Sequence, residues 1–198
     1  MNISLLNRAI EEKLVTLKDV SWDQFKGIEA QLIDNRSVRL SYLLGILEIM
    51  SPVGPLHEYV KRTLSYLLEA YMRVNGIRFY GKGGFTLEEP GYASGTPDES
   101  YCIGTNKETP DILIEVIITS GTINRKELYK PKQVSEVWFW KSDTIRIFHL
   151  NEKGEYEEVN RSSFFPDLDP NVLLQYIAMP DQYDAVQEFE QFLRQQLH

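Results

Sequence analysis

The stretch TPDESYCIGTNKETPDILIEV, from Thr96 to Val116, carries two Pro-Asp pairs and a glutamate, Glu115, inside an otherwise apolar run. Carboxylates brought close together repel unless a cation lies between them, and a divalent ion held that way can activate water. Pro-Asp recurs at Pro166-Asp167 and Pro180-Asp181, so the dipeptide alone says little. Proline fixes φ and aspartate bonds neighbouring backbone N–H groups, which suits strand entries and helix starts. The pair at 97–98 differs in what it faces. If DESYCI and DILIEV form an antiparallel hairpin around GTNKET, a turn centred near Asn106 and Lys107 sets Asp98 opposite Glu115. Cβ atoms so placed are about 4.5–5.5 Å apart, within reach of one shared divalent cation. Asp111 has the same facing as Glu115, but four residues along a strand is about 13 Å, so Asp111 starts the strand instead of joining the pair. Glu115 sits in a run suited to a central, buried strand and must be ligated or paired there. The competing reading is a buried salt bridge or an edge position.

The elements that must hold these residues are legible in outline. Ser21 reads as the N-cap of a first helix carrying Phe25, Ile28 and Leu32. SVRLSYLLGILEIM, broken by Gly45, reads as a hairpin or bulged strand pair ending at Ser51-Pro52. A long helix starts at Gly54-Pro55, buries Val60, Leu64, Leu67, Leu68 and Tyr71, and stops at Asn75-Gly76. Short strands follow in IRFYG, GFTLEE, DESYCI and DILIEVII, then a helical NRKELYKPKQ, then the strands SEVWFWK and TIRIFHL. The tail gives two amphipathic helices, the second with Val186, Phe189, Leu193 and Leu197 on one face. This order predicts an α/β fold, a mixed sheet flanked by helices. At 198 residues the expectation is a single domain.

Two more residues stand out. Glu48 is a lone acid in the apolar LEIM strand, and His57 points inward at the start of the long helix, where a capping or core role competes with a functional one. Other chemistries lack support. The histidines His57, His149 and His198 form no zinc spacing with Cys102, the GKGG at Gly81–Gly84 is not a phosphate-binding loop, and neither G-x-S-x-G nor H-E-x-x-H occurs. A net charge of −8 argues against coating nucleic acid by bulk electrostatics, yet a nuclease needs only a local basic groove. No secretory leader is read at the N-terminus and Cys102 is the lone cysteine, so a cytoplasmic location is expected. The apolar runs are too short to span a bilayer.

Across about residues 16 to 170 the sequence resembles the Uma-two endonuclease-like family of the PD-(D/E)xK nuclease superfamily. The resemblance rests on ordered blocks: GILEIMSPVGPLHE, GFTL, PDESYCIG, PDILIEVIITSGTINRKELY, VSEVWFW and SSFFPDL. It implies a restriction endonuclease-like fold, Mg2+ (or Mn2+) on Asp98 and Glu115, and DNA as substrate. Glu48 and His57 also match acidic and histidine positions of the family. The usual lysine two residues after the glutamate is absent, because that position is Ile117. The family's displaced basic position, four residues before the tyrosine of ELY, is Arg125, with Lys126 beside it. Arginine can neutralise phosphate charge but cannot act as a base.

The expectation is therefore a magnesium-dependent endonuclease cutting DNA phosphodiester bonds. Its rivals are a nuclease-fold module that binds nucleic acid or protein without cutting, and a structural protein in which Asp98 and Glu115 pair with Arg125. The aromatic VWFW is suited to an interface, so a homodimer is also entertained.

Overall fold

The run Ile112–Val116 is buried at every residue, which only a strand covered on both faces can sustain. In the computed structural model, which describes residues 12–32, 34, 38–51 and 54–196, it is β8 of a six-stranded sheet. The leader reading on the first residues, the turn residue Pro52, and Leu197 and His198 lie outside the described residues. The sheet comprises β4 (Phe79–Gly81), β7 (Glu99–Ile103), β8, β9 (Glu136–Lys141), β10 (Thr144–Leu150) and β11 (Tyr156–Val159). Their order is β11-β10-β9-β8-β7-β4, and β8 with β9 is its parallel pair. The crossover between those two carries the short helix α3 (Arg125–Tyr129).

A second, antiparallel sheet holds β1 (Leu14–Leu17), β2 (Arg39–Leu43), β3 (Ile46–Met50), β5 (Leu87–Glu89) and β6 (Ala93–Gly95), ordered β1-β3-β2-β6-β5. The sequence reading placed all strands in one mixed sheet. The difference arises at β6, whose three residues, Ala-Ser-Gly, have no apolar alternation to announce a strand, although they join the β2–β3 hairpin to β5. The hairpin itself turns through Leu44 and Gly45, both at positive φ, which glycine adopts without strain.

Helix α1 (Trp22–Leu32) begins with a reciprocal cap. Ser21 Oγ accepts from Gln24 N–H at 3.2 Å, and Gln24 Oε1 accepts from Ser21 N–H at 2.8 Å. Helix α2 (Pro55–Val74) has proline in its first turn and stops before Gly76 at φ +66°. With α4 (Pro170–Ile177) and α5 (Gln182–Gln196) it covers one face of the six-stranded sheet, packing on Ile112, Ile114, Val116, Trp138 and Trp140. The other face presents Leu113 and Val137 to Leu128 and Tyr129 of α3 and to Leu43 and Leu87 of the second sheet. Side chains alternate along a strand, so Glu115 faces with Leu113, between the two sheets.

The aromatic stretch expected to offer an interface belongs instead to the interior. β9 lies between β8 and β10, and Val137, Trp138 and Trp140 are buried. Among the described residues no helix is long and apolar enough to cross a membrane.

Candidate active site

A cavity of about 360 Å³ opens between the sheets, and its wall includes all six residues singled out in the sequence: Glu48, His57, Asp98, Glu115, Arg125 and Lys126. They come from β3, α2, the entry to β7, β8 and α3, so convergence is a product of the fold and not of local sequence. The β7–β8 ladder pairs Glu99 with Ile114, Ser100 with Leu113 and Tyr101 with Ile112. One further step sets Asp98 at the level of Glu115, and Asp98 N–H still bonds Ile114 O at 3.0 Å. Asp111 is elsewhere: Lys107 Nζ pairs with it at 2.6 Å and Ile103 N–H donates to it at 2.7 Å, closing the loop at the far end of the hairpin.

Asp98 is 6% exposed and both its oxygens are engaged. Oδ2 accepts from Val116 N–H at 2.7 Å and from His57 Nε2 at 3.1 Å. Oδ1 accepts from Arg39 Nη1 at 2.5 Å, and Arg39 Nη2 also donates to Thr96 O at 3.1 Å. Burial alone would push the Asp98 pKa up. The His57 hydrogen bond and the Arg39 guanidinium outweigh it and hold the carboxyl well below the usual carboxylate range. The carboxylate makes His57 Nε2 the protonated nitrogen, while Nδ1 is buried without a hydrogen-bond partner among the described residues.

Glu115 is the opposite case. It accepts a short hydrogen bond from Tyr129 O–H, and burial pushes its pKa up; Arg125 opposes that rise and the Asp98 charge adds to it. Two neighbouring carboxylates thus have pKa values driven apart, a pattern that marks functional sites. Arg125 Nη1 donates to Ser41 Oγ at 2.6 Å, and Lys126 Nζ lies 4.0 Å from the Phe148 ring centroid. α3 owes its start to Asn124, whose side chain accepts from Lys126 N–H.

Glu48 Oε1 accepts from Thr122 N–H at 2.5 Å and Ile123 N–H at 2.8 Å, so this acid fixes the loop that leads into α3. Gly121 permits the approach, since a Cβ there would overlap the Glu48 carboxylate.

Sequence reading missed Arg39 and Tyr129. Arg39 had a signal: it alternates with Ser41, which pairs with Glu48 across the β2–β3 hairpin, so the three share the cavity face. Tyr129 had none beyond its place in ELY. Five cationic side chains, Arg39, Arg125, Lys126, Lys141 and Arg146, line the cavity against four carboxylates, Glu12, Glu48, Asp98 and Glu115. The chain carries a net charge of −8, yet this lining is close to neutral, and Arg146 is already paired with Glu158.

Among the described residues no three His, Cys, Asp or Glu side chains converge as ligands, a poor match for zinc. Magnesium is different, because it keeps most of its waters and needs only one or two carboxylates beside substrate phosphates. Asp98 and Glu115 match that requirement in number and type, and a cation between them would relieve the Asp98 repulsion that adds to the burial-driven rise of Glu115.

No curated protein matches the chain. A family described as Uma2, putative restriction endonuclease, matches residues 22–179, a span that contains all six candidate residues and most of both sheets. The chain belongs to the Uma2 family, with its restriction endonuclease-like mixed α/β fold.

Proposed function

We propose that the protein hydrolyses DNA phosphodiester bonds with Mg2+, for which Mn2+ can substitute. The observation that carries this reading is the convergence of two carboxylates with pKa values driven apart and several cationic side chains on one cavity. Asp98 and Glu115 would hold the ion, which when bound supplies a water of lowered pKa and offsets charge on the phosphate. The protein's own groups do the rest. Arg125, positioned by Ser41 and permanently charged, binds a non-bridging phosphate oxygen, and Lys126 at the cavity wall is the alternative in that role. Glu48 holds the loop before α3, so that Arg125 and Lys126 reach the cavity wall. His57 keeps Asp98 oriented.

The test is cleavage of supercoiled, linear and single-stranded DNA with Mg2+ or Mn2+. Wild type is expected to cut, with Asp98→Ala and Glu115→Ala reduced at least about 100-fold, the scale of losing several kcal/mol of charge stabilisation. Equal background cutting by all three proteins would end the enzyme reading. A second reading, a binding module without cleavage, draws on the full engagement of Asp98 by Arg39, His57 and Val116. Metal-independent DNA binding without cutting would select it.

A further inference from the structure

Arg39 has a role that neither the spacing of the carboxylates nor the position of Arg125 supplies. Its guanidinium reaches from β2 in one sheet to Asp98 at the edge of the other, and sits on Oδ1. The other oxygen, Oδ2, already receives Val116 N–H and His57 Nε2, so Oδ1 is the atom a metal must use. An ion about 2.1 Å from Oδ1 would lie within about 5 Å of a guanidinium nitrogen left in place, and the two like charges would repel in a partly desolvated site. The Arg39 side chain is 33% exposed against 2% for Asp98, so the arginine has a path into the cavity and the carboxylate does not.

We infer that Arg39 is an exchangeable internal cation: it neutralises Asp98 when no divalent ion is bound and is displaced into the cavity when one binds. The inference rests on the reading of Asp98 and Glu115 as metal ligands. It makes metal affinity a competition between an intramolecular guanidinium and the ion, so the arginine weakens binding while keeping the buried carboxylate paired. It also frees the Arg39 guanidinium, already on the cavity wall, to meet a phosphate only when the ion is in place.

The experiment is calorimetric titration of the intact protein with Mn2+, comparing wild type, Arg39→Met, Arg39→Lys, Arg125→Met and Asp98→Ala. Arg39→Met is expected to bind Mn2+ at least tenfold more tightly, and Arg39→Lys about threefold, because lysine keeps the charge but loses the fork that also engages Thr96 O. Arg125→Met, which removes a cation that does not touch Asp98, should tighten binding by less than Arg39→Met. Equal tightening in those two variants would reduce the effect to general charge and overturn the exchange, as would unchanged affinity in both Arg39 variants. Should Arg39→Met fail to fold, the lysine variant and the wild-type Arg39 Nε–H resonance decide: that resonance must shift on adding Mg2+ and stay put in Asp98→Ala. If wild type binds no Mn2+ at all, the metal reading of the site falls and takes this inference with it. A wild type that binds Mn2+ through Asp98 with no response from Arg39 overturns the inference alone.

Discussion

Glu115 on β8 and Glu136 on β9 are glutamates buried in adjacent parallel strands, and their surroundings could hardly differ more. The register pairs Ile112 with Glu136 and Glu115 with Phe139, an offset of three, so the two carboxylates point to opposite faces of the sheet. Glu136, 0% exposed, accepts from Trp138 Nε1 at 3.0 Å and from Ser162 Oγ, Ser163 N–H and Ser163 Oγ, each at 2.7 Å. Its hydrogen-bond donors are neutral, with His149 Nδ1 3.7 Å from Oε1, and they tie the Ser162–Ser163 segment to the helix-covered face. Among the described residues Glu115 has one hydrogen-bond donor, Tyr129, and otherwise feels charges across a cavity. A buried acid with a full set of neutral donors works as a fastener. One with few donors, beside a second acid and facing a cavity, holds unrelieved charge that a ligand can use.

The largest expected effect tests the fastener. Glu136→Ala strands the buried Trp138 N–H and the Ser162 and Ser163 donors, and should cost about 3 kcal/mol or more in chemical denaturation. DNA cleavage per folded molecule should be unchanged. A loss below about 1 kcal/mol, or a specific loss of cleavage, would erase the distinction between the two glutamates. Next comes Gly121→Ala, which drives a methyl group into the Glu48 carboxylate and should cost about 2 kcal/mol. Because Glu48 fixes the loop into α3, cleavage should fall more than stability alone explains. An alanine tolerated at both levels would mean that the loop does not position Arg125.

Smaller in stability but opposite in sign is Glu115→Gln. Removing a charge whose ionised form is disfavoured should leave stability unchanged or raise it by up to about 1 kcal/mol at pH 7, while cleavage drops at least about 100-fold. The pH profile gives the same contrast. Glu115, raised in the folded state, contributes stability that is complete below its unfolded value and lost as pH rises through its folded value. Asp98, depressed, contributes stability present above its unfolded value near 3.8 and lost as pH falls toward the folded value. Wild type should therefore gain stability on mild acidification and lose it below about pH 4. The gain should vanish in Glu115→Gln and the loss should shrink in Asp98→Asn. A monotonic profile that is identical in all three would contradict the assigned directions.

How much of this the sequence could reveal follows from the range of each interaction. The α2 stripe, the Leu44–Gly45 turn and the β7–β8 register are set by residues near one another in the chain, and hydrophobic period plus turn chemistry exposes them. That register was enough to set Asp98 opposite Glu115. β11, Tyr-Glu-Glu-Val at the sheet edge, and the short β6 carry no apolar alternation, since their pairing comes from neighbours already in place. Arg39 meets Asp98 across 59 positions and two sheets, and Glu136 meets Ser162 across 26. Such contacts exist only once the layers pack. Their one trace in sequence is a charged residue in an apolar strand, inside it at Glu48 and Glu115 and at its first position at Arg39 and Glu136. It marks a residue that must be paired without naming the partner.

The finest test separates a hydrogen bond from packing at Glu115 itself. Tyr129→Phe keeps the ring buried against Leu128 and Val134 and deletes the hydroxyl together with its need for a partner. Donor and demand vanish together, so the expected cost is only about 1 kcal/mol. The diagnostic change is in titration. The Tyr129 bond is among the influences that lower the Glu115 pKa, and without it burial and the Asp98 charge should raise that pKa further. The mild-acid rise in stability should then begin at higher pH than in wild type, and Mn2+ binding should weaken most at low pH, where protons compete for the same oxygens. An equal loss of stability at every pH would make Tyr129 a packing residue. A displaced profile would show that Glu115 is tuned by α3 from within the space between the sheets, a device that Glu136, held by Trp138, Ser162 and Ser163, has no use for.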